Sequence, residues 1–70
     1  MKTYWMTHYY NSQGSGAMIC PGWWSREQVS DSTDSLIEAM SRYGIKVYSY
    51  TIGQEDLTDE EATFYEDNEW

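Results

Sequence analysis

Strand-like patterns of apolar and aromatic residues mark three segments of the chain. Residues 2–10 are rich in threonine, tyrosine and tryptophan, and residues 17–20 form a short apolar run. Residues 45–52 are almost entirely β-branched or aromatic and are followed by Gly53. These patterns predict three strands, of which the first two form a hairpin. Residues 11–16 predict a loop longer than the tight two-residue connection, so the hairpin register is left open.

Helical periodicity marks the segment between the second and third strands. Apolar side chains recur at helical spacings over residues 29–43. Gly44 predicts that the helix ends there, because glycine readily adopts the left-handed backbone conformation that follows many helices. Residues 25–28 fit a capping box, in which serine and glutamine side chains bond backbone N–H groups reciprocally. Residues 30–35 are poor helix formers. The sequence therefore leaves open whether this helix begins near Arg26 or at one of the two aspartates in that run.

A second, acidic helix is predicted after the third strand, ending near residue 67. Thr58 and Glu61 form another capping box, and Leu57 and Ala62 occupy the positions of a hydrophobic staple. Three acids in the first turn suit the positive end of the helix dipole. The predicted order is ββαβα in a single domain over the whole chain. We expect an α+β fold with a three-stranded antiparallel sheet, a helix packed on one face and a short acidic C-terminal helix.

Composition and charge narrow the possible functions. Aromatic residues make up 17% of the chain, whereas disordered acidic chains contain few, so we expect a folded domain with an acidic surface. The single cysteine excludes an intrachain disulfide and favours a reducing compartment, and we expect a cytoplasmic protein. We see neither a signal peptide nor an apolar stretch of bilayer length. The formal net charge of -8 disfavours nucleic acid and membranes as direct ligands and favours a basic protein partner.

The negative charge is concentrated near the C-terminal end, where residues 55–70 contain eight acids and no base. Such a surface imitates a phosphate backbone and can occupy a basic groove, where electrostatic steering makes association fast. The predicted partner-binding carboxylates are Glu55, Asp56, Asp59, Glu60, Glu61, Glu66 and Asp67. Tyr48, Tyr50 and Trp70 are the predicted apolar anchors, because tyrosine and tryptophan are enriched at interfaces.

Aromatic side chains of the predicted sheet offer an alternative interface. Side-chain alternation places Tyr48 and Tyr50 on one face of the third strand, opposite to Val47. A single helix covers only one face of a sheet. The other face exposes aromatic rings unless a partner or the acidic helix, with Phe64 and Tyr65, covers it. The sequence leaves both outcomes open, and with them an assembly or adaptor module that includes a possible homodimer.

Few residues have catalytic or metal-binding potential. His8 and Cys20 are the only candidates for a nucleophilic pair and could face each other across the hairpin, but no helix N-terminus or cationic cluster is evident to activate the thiol. An EF-hand calcium loop starting at Glu55 would end at Glu66 but would place Glu60 where glycine is required. We therefore expect a binding protein with no cofactor or metal, and a small Cys/His enzyme is the less favoured alternative.

Short length, acidity, a single thiol and the ββαβα order give the chain a general likeness to one functional class. It resembles short phage-encoded inhibitors of bacterial defence, the anti-CRISPR and anti-restriction proteins. Many of these are small, acidic single domains without catalytic motifs, and some are DNA mimics. The resemblance implies an inhibitor that acts in the host cytoplasm by blocking a basic nucleic-acid-binding protein. It is one of general character and carries over no functional residue.

Overall fold

The first strand lies in the middle of the sheet and organises the other elements. The computed structural model describes residues 1–67, with side chains up to Glu66. Its elements are β1 (Lys2–Asn11), β2 (Gly14–Pro21), α1 (Arg26–Arg42), β3 (Val47–Leu57) and α2 (Asp59–Asp67). Both outer strands pair antiparallel with β1, in the order β2-β1-β3. The predicted ββαβα order and three-stranded antiparallel sheet are confirmed.

β1 is buried on both faces because one helix packs against each. Successive strand side chains point to opposite faces of a sheet. Met6 packs with Ala62 of α2, whereas the hydroxyl of Thr7 contacts that of Thr33 of α1. Met6 and Thr7 are 0% and 1% exposed. The two helices therefore cover opposite faces of the same strand.

α1 begins at Arg26, the earliest of the starts that the sequence allowed, rather than at Asp31 or Asp34. The Ser25 hydroxyl accepts from the Gln28 N–H at 3.2 Å, and the Gln28 side chain accepts from the Ser25 N–H at 2.8 Å, as the capping box predicts. The poor helix-forming run is accommodated because Thr33 faces the sheet, where its hydroxyl lies 2.9 Å from that of Thr7. Tertiary packing thus outweighs local helix propensity.

A Schellman motif ends α1 at the predicted glycine. Gly44 has φ +78°, in the left-handed region that favours glycine. Its N–H donates to the Ser41 carbonyl at 3.0 Å, and the Ile45 N–H donates to the Met40 carbonyl at 2.9 Å. Ile45 also packs against Met40 in the core. Ile45, predicted to begin the third strand, therefore belongs to the helix end instead.

The connection between β1 and β2 is tighter than predicted. Asn11 pairs with Gly14, so the turn consists of two residues and β2 begins before the apolar run. The Asn11 Oδ1 accepts from the Gln13 N–H at 2.8 Å, which forms an Asx turn. Gly14 has φ +122°, a conformation that side chains disfavour. The longer loop predicted over 11–16 is wrong because the asparagine side chain supplies a turn that the apolar pattern does not show.

β3 is also longer than the sequence predicts. It spans Val47–Leu57, whereas the apolar pattern predicts a strand over 45–52 that Gly53 ends. Every residue of 49–57 pairs with β1, and this pairing carries the polar residues 53–56 into the sheet. Cross-strand pairing therefore outweighs the low strand propensity of glycine and aspartate.

A β-bulge separates Tyr48 from Tyr50. The register shifts between Tyr10 and Asn11, which makes Tyr48 an extra residue in β3. The Tyr48 ring centroid lies 5.6 Å from that of Tyr10, whereas Tyr50 pairs with Tyr9, whose side chain packs in the core beneath α1. Since Tyr9 and Tyr10 point to opposite faces, the prediction that Tyr48 and Tyr50 share a face is wrong.

α2 begins as the sequence predicts. The Thr58 N–H donates to the Glu61 carboxylate at 3.1 Å, and the Glu61 N–H donates to the Thr58 hydroxyl at 3.2 Å. Leu57 and Ala62 pack in one buried cluster with Met6, which completes the hydrophobic staple. The capping box and the staple together fix the angle at which α2 leaves β3.

The buried pair of threonine hydroxyls predicts a non-additive effect on stability. Thr33→Val leaves the Thr7 hydroxyl without its partner, and a buried unsatisfied hydroxyl costs about 1–3 kcal/mol. We expect the double variant Thr7→Val/Thr33→Val to regain much of that loss, because neither position then carries an unpaired polar atom. Urea denaturation monitored by tryptophan fluorescence measures the free energy of unfolding. Simply additive losses in the double variant would contradict a paired role for the hydroxyls.

Candidate functional site

Exposed carboxylates cluster where β3 ends and α2 begins. The predicted carboxylates whose side chains the structure describes are all exposed: Glu55, Asp56, Asp59, Glu60, Glu61 and Glu66. No lysine or arginine follows Lys46 in the sequence, so none of this charge is neutralised by a nearby base in the same segment. We refer to Glu55 together with the four α2 carboxylates of this set as the acidic surface.

Two of these carboxylates have structural roles. Glu61 accepts from the Thr58 N–H in the capping box and so holds the first turn of α2. Asp56 accepts from the Thr3 hydroxyl at 2.6 Å across the β1–β3 pair. Because adjacent strand residues point to opposite faces, Asp56 lies on the other face of the sheet from Glu55. Asp56 therefore stands apart from the acidic surface.

Phe64 is the apolar member of this region. Ala62 and Tyr65 face the sheet and pack with the buried Met6 cluster. Phe64 is out of phase with them on the helix, is 61% exposed, and meets the Tyr65 ring edge-on with centroids 5.5 Å apart. Glu60 lies one helical turn before Phe64. Of the two rings expected to cover the sheet face, Tyr65 packs on the core, whereas Phe64 remains mostly exposed on a helix whose first turn is acidic.

His8 extends the acidic surface across the sheet. Its Nε2 contacts the Glu55 carboxylate, which links β1 to the end of β3. Both side chains are nearly half exposed, so the contact adds little to stability. A groove of about 350 Å³ lies beside it, lined by His8, Ser15, Gly16, Ala17, Phe64 and Tyr65. An apolar recess thus adjoins the carboxylates, with Phe64 at its rim.

His8 and Cys20 lie on opposite faces of the sheet. Cys20 pairs with Trp5 and is buried with Val29 beneath α1. His8 pairs with Ala17 and lines the groove on the α2 side. The idea that the two could face each other across the hairpin is wrong. Cys20 shares the face of its partner Trp5, whereas His8 points to the opposite face of β1 from Trp5. The structure does not bring them together as a nucleophilic pair.

Two of the three predicted aromatic anchors, Tyr48 and Tyr50, belong to β3 rather than to the acidic surface. Tyr48 and Tyr50 are 57% and 43% exposed. The Lys46 Nζ lies 5.8 Å from the centre of the Tyr48 ring, within cation–π range. Trp70 and the side chain of Asp67 lie outside the described residues, so their roles stay predictions.

Comparison with protein-family models, with characterised proteins and with solved structures finds no match to this chain.

Within the part of the chain that the structure describes, no three His, Cys, Asp or Glu side chains are grouped so that they could hold a metal ion. The segment 55–66, considered for a calcium loop, is the end of a strand followed by a helix. Neither helix among residues 1–67 is long and apolar enough to cross a membrane. The exposed carboxylates of the acidic surface and the exposed Phe64 together form the candidate site.

The burial of Cys20 predicts slow thiol chemistry. Cys20 is 3% exposed, so a thiol reagent such as DTNB reaches it only when the sheet opens. We expect native-state modification to be at least about a hundredfold slower than modification in denaturant. His8→Ala should leave that rate unchanged, because the imidazole lies on the other face. A fast native reaction that depends on His8 would contradict this placement.

Proposed function

We propose that this chain is an inhibitory protein-binding module whose acidic surface docks on the basic, nucleic-acid-binding surface of another protein. The observation that carries the proposal is an exposed phenylalanine, Phe64, among carboxylates in a segment that contains no base. Charge at the rim of an interface guides encounter, while a buried aromatic anchor slows dissociation. Four carboxylates of the acidic surface and Phe64 lie on α2, so both elements are present within a single helix.

Charge determines which kind of partner fits. A chain of net charge -8 repels nucleic acid and is attracted to grooves lined by lysine and arginine. A groove occupied by this chain is closed to nucleic acid, so binding alone inhibits the partner. The general resemblance of the sequence to short phage-encoded inhibitors of bacterial defence favours one form of this function. In that form the chain is a DNA mimic that acts in the host cytoplasm.

Phe64 and the groove beside it supply apolar contacts, which surface charge alone does not provide. At physiological ionic strength, interactions between exposed charges are largely screened beyond about 8 Å, so a wholly charged interface binds weakly. An aromatic ring buried at the centre of an interface is far less sensitive to salt. Phe64 can enter a pocket of the partner, and the groove beside it can receive an apolar side chain in return.

Capture followed by competition with nucleic acid tests the proposal. The chain is immobilised through its N-terminus and exposed to nuclease-treated bacterial lysate, and the retained proteins are identified by mass spectrometry. We expect the specific partner to bind nucleic acid and to be released by added duplex DNA or RNA. A partner that holds its nucleic acid and this chain at the same time would contradict docking on the nucleic-acid surface.

Charge reversal on α2 should weaken binding to the captured partner. Glu60→Lys/Glu66→Lys leaves the Glu61 cap intact, and we expect at least about a hundredfold loss of affinity, or about 3 kcal/mol. Asp31→Lys/Asp34→Lys on α1 changes the net charge equally, and we expect only a small loss. Surface plasmon resonance measures both. Equal losses would mean that total charge alone matters, and no loss from either would remove the acidic surface from the interface.

Truncation of the exposed ring should act on dissociation. Phe64→Ser removes the apolar anchor, and we expect a loss of about 2 kcal/mol of binding free energy, mainly through faster dissociation. Its melting temperature should change little because the ring is largely exposed. Trp23→Ser is the matched control, since Trp23 is 80% exposed but lies outside the acidic surface. An unchanged dissociation rate for Phe64→Ser would contradict its role as an anchor.

A further inference from the structure

The groove beside Phe64 has one wall of small residues and one aromatic wall. Ser15, Gly16 and Ala17 of β2 leave room on the sheet side, whereas Phe64 and Tyr65 form the side on α2. The two rings are almost perpendicular, with an interplanar angle of 80°. A flat group that enters this corner can stack on one ring and meet the edge of the other. The volume of about 350 Å³ lies near the lower limit of ligand pockets, so the groove suits a single side chain.

The Glu55 carboxylate is held at the edge of this groove by His8. Met6 packs against α2, and strand side chains alternate, so His8 and Gly53, the cross-strand partner of Met6, lie on the α2 side of the sheet. Glu55 follows Gly53 by two residues and lies on the same side. The glycine places no side chain between them, and the Glu55 Oε2 contacts the His8 Nε2. The second carboxylate oxygen, Oε1, is left to accept hydrogen bonds from a ligand.

Charge determines which ligand is complementary to the groove. Among the residues that the structure describes, no lysine or arginine lines it, and it adjoins the carboxylates of α2. The net charge of -8 repels phosphate, which disfavours a nucleotide base even though its ring would suit the aromatic corner. A second copy of the chain would bring its own carboxylates against this surface. A cation with a flat head and an apolar stem fits both the charge and the shape.

We propose that the groove receives an arginine side chain of the basic partner. The guanidinium is planar, stacks on aromatic rings and donates strong hydrogen bonds to carboxylates, here to the Glu55 Oε1. Its methylene stem supplies the apolar surface that lies along Ala17 and Phe64. Lysine fits less well, because its ammonium is a compact, strongly hydrated charge that does not stack. This inference rests on the proposed function, since it names the side chain by which the partner is bound.

An arginine in this groove makes the mimicry of nucleic acid specific. Arginine in nucleic-acid-binding proteins pairs with phosphate oxygens and stacks its guanidinium plane on unpaired bases. In the groove, the Glu55 carboxylate takes the place of the phosphate, and the rings of Phe64 and Tyr65 take the place of the base. The chain then occupies an arginine that the partner uses for its nucleic acid, so the two ligands compete for the same side chain.

Titration with a blocked amino acid tests the groove without any partner. N-acetyl-arginine N-methylamide is added to the isotope-labelled chain, and backbone amide shifts are followed by NMR. We expect a dissociation constant on the order of 1–10 mM, with the largest shifts at residues 15–17 and 64–65. The citrulline derivative has nearly the same shape without the charge and should bind at least about tenfold more weakly. The lysine derivative should bind about fivefold more weakly.

Conservative substitutions separate the carboxylate from the ring. Glu55→Gln keeps the shape but removes the charge, and we expect about fivefold weaker binding of the arginine derivative. Asp56→Asn is the matched control, because it removes the same charge from the neighbouring residue, which bonds Thr3 on the other face of the sheet. It should leave the affinity unchanged. Phe64→Leu keeps an apolar side chain without the π face, and we expect about threefold weaker binding.

Three results would overturn the assignment of the groove to arginine. The first is equal affinity for the arginine and citrulline derivatives, and the second is an equal loss from Glu55→Gln and Asp56→Asn. The third is the appearance of the same amide shifts when the chain is concentrated alone, which would show that a second copy occupies the groove.

The captured partner distinguishes this inference from the proposed function. We expect Glu55→Gln to weaken partner binding at least about fivefold and Asp56→Asn to leave it unchanged. If only charge reversal on α2 weakens the complex, the groove does not receive the partner's arginine, and docking on the nucleic-acid surface still stands. If the arginine derivative binds the groove but the partner does not compete with nucleic acid, the proposed function fails and the arginine site stands.

Discussion

Met6 and Thr7 are adjacent on the central strand, and both are inaccessible to solvent, one beneath each helix. This two-sided burial of β1 is the constraint on which the remaining structure depends. It requires a helix on each face of the sheet. α1, with 17 residues, extends across one face, whereas α2 has nine residues in the described part of the chain for the other. The shorter helix leaves a groove and exposed side chains on its side of the sheet, and the excess of carboxylates lies there as well.

The acidic residues of α2 serve the fold and the proposed interaction at once. Acids in the first turn favour the helix through its dipole, and Glu61 closes the capping box. With Ala62 and Tyr65 directed at the sheet, the helical period turns Phe64 outward among those carboxylates. The surface that we propose for docking is therefore a direct consequence of how a short amphipathic helix attaches to this sheet.

Local chemistry explains which features could be predicted from the sequence. The capping boxes at both helix starts and the glycine that ends α1 depend on near neighbours, and all three are observed. The two-residue hairpin, the polar second half of β3 and the bulge at Tyr48 depend on long-range pairing with β1, which no local pattern records. The acidic surface was predictable because charge is visible in the sequence. The exposure of Phe64 was missed, although the helical period set by Ala62 and Tyr65 already places it on the outer side.

The central claim is that binding uses the acidic surface around α2. The most direct measurement is an NMR titration of isotope-labelled chain with the captured basic partner, in which backbone amide shifts and line broadening are followed residue by residue. The account predicts that the changes concentrate on residues 59–66 and on the groove around His8, while residues 26–42 of α1 change little. Changes centred on α1, or spread evenly over the chain with no focus on α2, would contradict it.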